Sequence, residues 1–113
     1  MALTASFTFA LPKNTPAVKL GVFEVMSKRL KNIHVVIPPG HKGLAFLQVS
    51  IPGMQIVPAL GSADLYVFGD GQELDFSPNV EIPGPPYQVQ MRGYNVDAFL
   101  DHSFIVRVTT DKE

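Results

Sequence analysis

The residues able to do chemistry are few, and their spacing argues against a catalytic or metal centre. Histidines stand at positions 34, 41 and 102, with Asp97 and Asp101 just before the last. Two imidazoles and a carboxylate could form a facial set for a first-row metal. A cupin-like site, however, places two histidines one residue apart on a strand with a glutamate shortly after, and no His-x-His occurs. The expected roles are structural. His34 reads as a strand residue, His41 as a turn residue, and His102 as a side chain bonded to a nearby carbonyl or carboxylate. Asp70, Glu73 and Asp75 offer oxygen ligands around Gly71, yet they lack the twelve-residue calcium loop and its closing glutamate. Ser103 follows His102, but neighbours on a strand point to opposite faces, so the two do not make a nucleophile and base. The chain has no cysteine, hence no thiolate nucleophile, zinc ribbon or disulfide framework. It also lacks a nucleophile elbow, a phosphate-binding glycine loop and a recognisable catalytic carboxylate pair. The expectation is no catalytic residue, no metal, no cofactor and no enzyme. Tyr66, Tyr87, Tyr94 and the eight phenylalanines could build a sugar-stacking platform, but the absence of tryptophan weakens it, and most of these rings belong in a core.

The elements that would position these residues are strands. Period-two patterns punctuated by proline and glycine run along the chain, as in an antiparallel sandwich. Leu3, Ala5, Phe7 and Phe9 alternate with Thr4, Ser6 and Thr8, and residues 13–16 break that strand. The stretch from Val18 to Lys31 is ambiguous. Val22, Met26 and Leu30 fall at helical spacing, whereas Leu20, Val22, Glu24 and Met26 alternate, and no cap or terminal glycine supports a helix. A strand to about Met26 and a basic turn at Ser27, Lys28 and Arg29 is the better fit. Ile33, Val35 and Ile37 point one way before Pro38-Pro39-Gly40. Ala45, Leu47, Val49 and Ile51 do the same before a Pro52-Gly53 turn and a short strand from Met54 to Val57. Residues 65–76 read as a tight hairpin over Asp70-Gly71. A short rung at 80–82, a strand carrying Tyr87, Val89 and Met91, and a last strand with Phe104, Val106 and Val108 inward complete a jelly-roll-like β-sandwich. Between the last two strands, Asn95 could adopt a left-handed conformation and Asp97 could accept the backbone amides that follow, with Phe99 and Leu100 anchoring the loop to the core.

A length of 113 residues is one domain, with residues 1–16 as an N-terminal arm or edge strand. The N-terminal stretch has no basic residue before its apolar alternation, unlike a signal peptide. Charged residues are 17%, below the usual share, so some surface is expected to be covered by partners. A net charge of −1 argues against a nucleic-acid binder. Residues 43–63 carry no charge, yet Pro52, Gly53 and Pro58 interrupt them, so no membrane helix is expected. On edge-forming strands this segment would instead drive oligomerisation. Charge is also segregated, at +5 over residues 1–50 and −5 over residues 51–91. Such halves either pair within one fold or meet head to tail between subunits.

Three stretches carry a resemblance. They are Ile33-His-Val-Val-Ile-Pro-Pro-Gly-His-Lys-Gly-Leu-Ala45, Gly53-Met-Gln-Ile-Val-Pro58, and Pro85-Pro-Tyr-Gln-Val-Gln-Met-Arg-Gly-Tyr-Asn-Val-Asp97 with His102. Over residues 20 to 108 this order of turns and strands resembles the small β-sandwich proteins encoded among virion genes of tailed phages and related viruses. The resemblance implies a structural role in the virion, as a capsid decoration or minor capsid protein. Its expected partners are further copies of itself and other virion proteins such as the major capsid protein, with no nucleic acid and no membrane. The alternatives are a ligand- or glycan-binding module of a receptor-binding apparatus, and a small jelly-roll enzyme with metal at the histidines.

Overall fold

Alternating apolar and polar side chains satisfy a strand with one face on a core and one in water, and most of the described strands follow this pattern. The computed structural model describes residues 3–58 and 66–112. Among them lie β1 (Leu3–Leu11), β2 (Thr15–Glu24), β3 (Arg29–Ile37), β4 (Ala45–Ile51) and β5 (Met54–Val57). These are followed by β6 (Gln72–Phe76), β7 (Val80–Glu81), β8 (Gln88–Asn95) and β9 (His102–Asp111). One sheet has the order β1-β9-β3-β6, with β7 extending the β6 edge along β3; the other has the order β2-β8-β4-β5. Every pairing is antiparallel. Successive strands cross between the sheets except at the β4–β5 hairpin and the split β6–β7 edge, which is the jelly-roll arrangement. The described residues include no helix long and apolar enough to cross a membrane.

The core lies between the sheets and contains the residues that the alternation marks. Ile33, Val35 and Ile37 face Ala45, Leu47 and Val49, and Val89, Met91, Phe104, Val106 and Val108 close the layer, all buried. On β2 the alternation falls the other way out. Leu20, Val22, Glu24 and Met26 face solvent, while Phe23 packs on Phe7 with ring centroids 4.9 Å apart. Gly21, lacking a Cβ, leaves room for the Phe9 and Phe23 rings. Residues 13 and 14 alone form the preceding turn, with Asn14 at φ 53°, and β2 already includes Pro16. An edge strand tolerates that proline because its missing N–H costs no ladder bond.

Two expectations are corrected. The Asp70-Gly71 hairpin does not form. Leu65 lies outside the described residues, Val67 bridges Leu47 of β4, and β6 pairs with β3 in the other sheet. Each flank finds a long, buried partner strand instead of its sequence neighbour, so the dipeptide carries the chain from sheet to sheet. The turn chemistry nevertheless holds, because Gly71 has φ 62°. Gly71→Val should therefore lower stability by about 1 kcal/mol or more, since a branched side chain resists positive φ. An unchanged melting temperature would refute that strain. The charge-free stretch 43–63 is also not mainly an edge. Residues 59–63 lie outside the described residues, β4 is an interior strand, and only β5 is at the rim. Ala45, Leu47, Val49, Ile51, Ile56 and Val57 lack charge because they are core.

Candidate functional site

At one end of the sandwich, the 12–14, 38–44 and 96–101 loops converge on the last residue of β8. Asn95 is buried there, and its Nδ2 donates to the carbonyls of Leu11 at 3.1 Å, Pro12 at 3.3 Å and Leu100 at 3.1 Å. Its Oδ1 accepts the Asp97 amide at 2.9 Å. The Asp97 backbone carbonyl in turn accepts the Asn14 amide at 2.7 Å, and Leu44 accepts that of Val96 at 3.0 Å. One side chain and its neighbours thus tie three loops together.

Asp97 holds the next layer. Its Oδ1 accepts the amides of Phe99 at 2.9 Å and Leu100 at 3.3 Å, and its Oδ2 lies 2.9 Å from His102 Nε2. The Phe99 amide, followed by the His102 hydrogen bond, keeps this carboxyl below the usual carboxylate range. His102 opens β9, and its ring lies 4.5 Å from that of His41, which packs edge-on to Phe104 at 5.0 Å. His41, His102 and Asp97 are all buried, and His41 Nδ1 has no hydrogen-bond partner. Burial, then the neighbouring His102, pushes the His41 imidazole below its ordinary value.

The expected carboxylate partner of His102 and the Asp97 amide bonds are therefore present. Two other expectations are corrected. Asn95 is a strand residue, absent from the positive-φ positions Asn14, Lys42 and Asn79, and it works through its side chain. Phe99 and Leu100 do not anchor the loop by packing, being 84% and 52% exposed. Their amides hold it, and the space over Phe104 belongs to His41. That burial is invisible in the sequence, where Pro-Gly-His-Lys-Gly signals only a turn.

The remaining candidates are dispersed. His34 lies on the outer face of the first sheet, 3.3 Å from Glu73 and 3.5 Å from Asp75, and Asn32 donates to Asp75 at 2.8 Å. Lys28 and Glu81 meet at 3.7 Å, so some of the opposite charge of the two halves pairs inside the fold. Exposed pairs of this kind contribute little. Asp70 accepts the Gly40 amide at 2.7 Å. Asp101 accepts that of Lys13 at 2.7 Å, and Ser103 faces away from its histidine neighbour, half-buried. Among the described residues no three His, Asp or Glu side chains converge to hold a metal.

The outer face of the second sheet has a different chemistry. Its edge strand β2 presents Val18, Leu20 and Val22 at 51%, 53% and 48% exposure. Beside them, Arg92 donates to Ser50 at 3.0 Å and to Gln90 at 3.3 Å, and Gln48 donates to Gln55 at 3.2 Å. Towards the tip, Phe46 stacks on Tyr94 at 4.5 Å, Tyr66 meets Tyr94 edge-on at 5.2 Å, and Phe68 lies 5.3 Å from Phe46. Lys19 turns the other way, its Nζ donating to the Ala10 carbonyl at 3.0 Å.

No family model and no curated protein matches the chain. Solved structures do share its shape. The SPBc2 prophage-derived protein YomS superposes with a TM-score of 0.58 at 13% identity, over 97% of this chain and 96% of that one. The Yersinia pseudotuberculosis-derived mitogen gives 0.51 at 9% identity, over 100% and 90%. VP2 of the infectious bursal disease virus subviral particle gives 0.43 at 11% identity, over 99% of this chain and 33% of that one. For the first two, at such identities, the likeness is one of fold, and the fold is the β-sandwich.

Proposed function

We propose that the chain is a non-enzymatic structural component of a virus particle, a capsid decoration or minor capsid protein that assembles through the outer face of its second sheet. The observation that carries this reading is the exposed aliphatic stripe of Val18, Leu20 and Val22 beside an amide-rich band. Contiguous apolar surface of this kind marks interaction sites. The edge itself is guarded by Pro16, by the bulge between Thr15 and Lys19, and by Lys19, which folds back across the rim. These devices block strand addition, so a partner meets the face and not the edge. The fold is shared with a prophage-derived protein, which supports a phage setting; within it, the reading places the chain in the virion beside proteins such as a major capsid protein. Light scattering at high micromolar concentration should find a homo-oligomer, and Leu20→Lys should return it to monomer with its melting temperature unchanged, because Leu20 is half exposed. A strict monomer in the unsubstituted chain would end this reading of the face.

The cluster of Phe46, Tyr66, Phe68 and Tyr94 favours a second reading, a glycan-binding module. Ring edges and faces beside the Gln48 amide and the Arg92 guanidinium suit a pyranose, which needs both stacking and hydrogen bonds. Saturable binding on a glycan array, lost in Phe68→Ala, would favour it over assembly.

A further inference from the structure

The tip of the sandwich holds a buried titratable group to which the proposed assembly gives no part. His41 stands in the 38–44 loop with its ring between His102 and Phe104. The charged and titratable groups facing it come from every element packed there. His102 lies beside it on β9, Asp97 lies beyond His102 in the 96–101 loop, Asp70 precedes β6, and Lys42 is its chain neighbour. Asp70 and a hydrogen bond to the Ser103 backbone favour a proton on His41, while burial and His102 oppose it more strongly. A proton on Nδ1 would give this nitrogen an N–H with no acceptor in a pocket closed to water.

We propose that the tip is an acid-sensitive latch, in which a proton taken up by His41 expels its ring from the pocket over Phe104 and frees the 38–44 loop. The loop is tied to its surroundings by few bonds. Gly43 donates to Gly69 at 3.1 Å, Gly71 to Pro38 at 3.4 Å, Val96 to Leu44 at 3.0 Å, and Gly40 to the Asp70 carboxylate at 2.7 Å, while the Leu44–His41 bond of 2.9 Å lies within the loop. Release of His41 therefore also loosens the 69–71 crossing and the start of the 96–101 loop. The exposed side chains of Phe68, Val96, Phe99 and Leu100 border these segments, so the apolar tip changes shape as the latch opens.

The sign follows from linkage. A histidine that resists protonation in the fold stabilises it fully above the ordinary imidazole range, near 6.5, and loses that contribution as pH falls through it. The Asp97 contribution is lost only at lower pH, below the usual carboxylate range near 3.9. The melting temperature of the full chain should accordingly be level down to about pH 7 and fall by roughly 5 °C or more by about pH 5. His41→Phe, which keeps a ring over Phe104, should remove most of that fall, and His34→Gln should not. If His41→Phe does not fold, His41→Gln serves, together with hydrogen exchange of the unsubstituted chain. Exchange corrected for intrinsic rate should rise at about pH 5.5 in residues 40–44 and 96–100, ahead of β4 and β9. A pH profile unaltered by either His41 substitution, or exchange at the tip that does not respond to pH, would overturn the latch.

Discussion

Asn95→Ala should cost the fold about 4 kcal/mol. The substitution removes the donor shared by the Leu11, Pro12 and Leu100 carbonyls and the acceptor of the Asp97 amide. Each buried polar group left without a partner costs about 1–3 kcal/mol, and water entering the gap recovers part of the sum. For a domain of this size the melting temperature should drop by roughly 15 °C. Asn95→Asp keeps the shape but turns a second oxygen towards three carbonyls, and at neutral pH it should be at least as damaging. Denaturant unfolding of both variants tests this, and a loss below about 1 kcal/mol in Asn95→Ala would show that the loops do not depend on this side chain.

Gly93→Ala should destabilise by about 3 kcal/mol, a large effect for one methyl group. Gly93 lies inside β8, opposite Lys19 of β2 and Leu47 of β4. A Cβ there would clash with the Phe46 carbonyl oxygen and sit 3.0 Å from the Phe9 ring and 3.3 Å from Leu11. The rings could shift, but the Phe46 carbonyl belongs to the next strand and cannot move without disturbing the ladder. Thermal and denaturant unfolding should both register the loss. A variant as stable as the parent would mean that β8 and β4 leave more room at this point than the Phe46 carbonyl allows.

Period-two patterning made the sandwich legible because it reports which residues share a face. It does not report which face is inward. Along β3, β4 and β9 one parity is apolar and the other mostly polar, so the answer is plain. Along β2 both parities hold apolar residues, and the inner set of Gly21 and Phe23 is fixed by rings on β1 that the local sequence does not contain. The same distinction explains the Asp70-Gly71 region, where the turn conformation is local and legible but the choice of partner strand is not. At the tip, the bonds spanning two to five residues around Asp97 could be read from the chemistry of its side chain. The seat of His41 against β9 depends on a contact distant in sequence. Phe99 and Leu100 misled because a large apolar side chain argues for burial by default, although folded surfaces carry many such groups.

The strand order also constrains how the molecule comes together in time. β9 lies between β1 and β3, with Leu3 opposite Thr110 and Leu11 opposite His102 along the whole of β1. Until residues 102–111 have been synthesised, neither β1 nor β3 has the neighbour that joins them, and the first sheet cannot be completed. The second sheet waits in a similar way for β8, which separates β2 from β4. Closing such distant pairings is entropically slow, and folding dominated by them is slow compared with that of helical domains. A nascent chain long enough to expose β1 to β5 is therefore a set of apolar strands lacking its two central members, the period in which it is most exposed to mispairing with another copy.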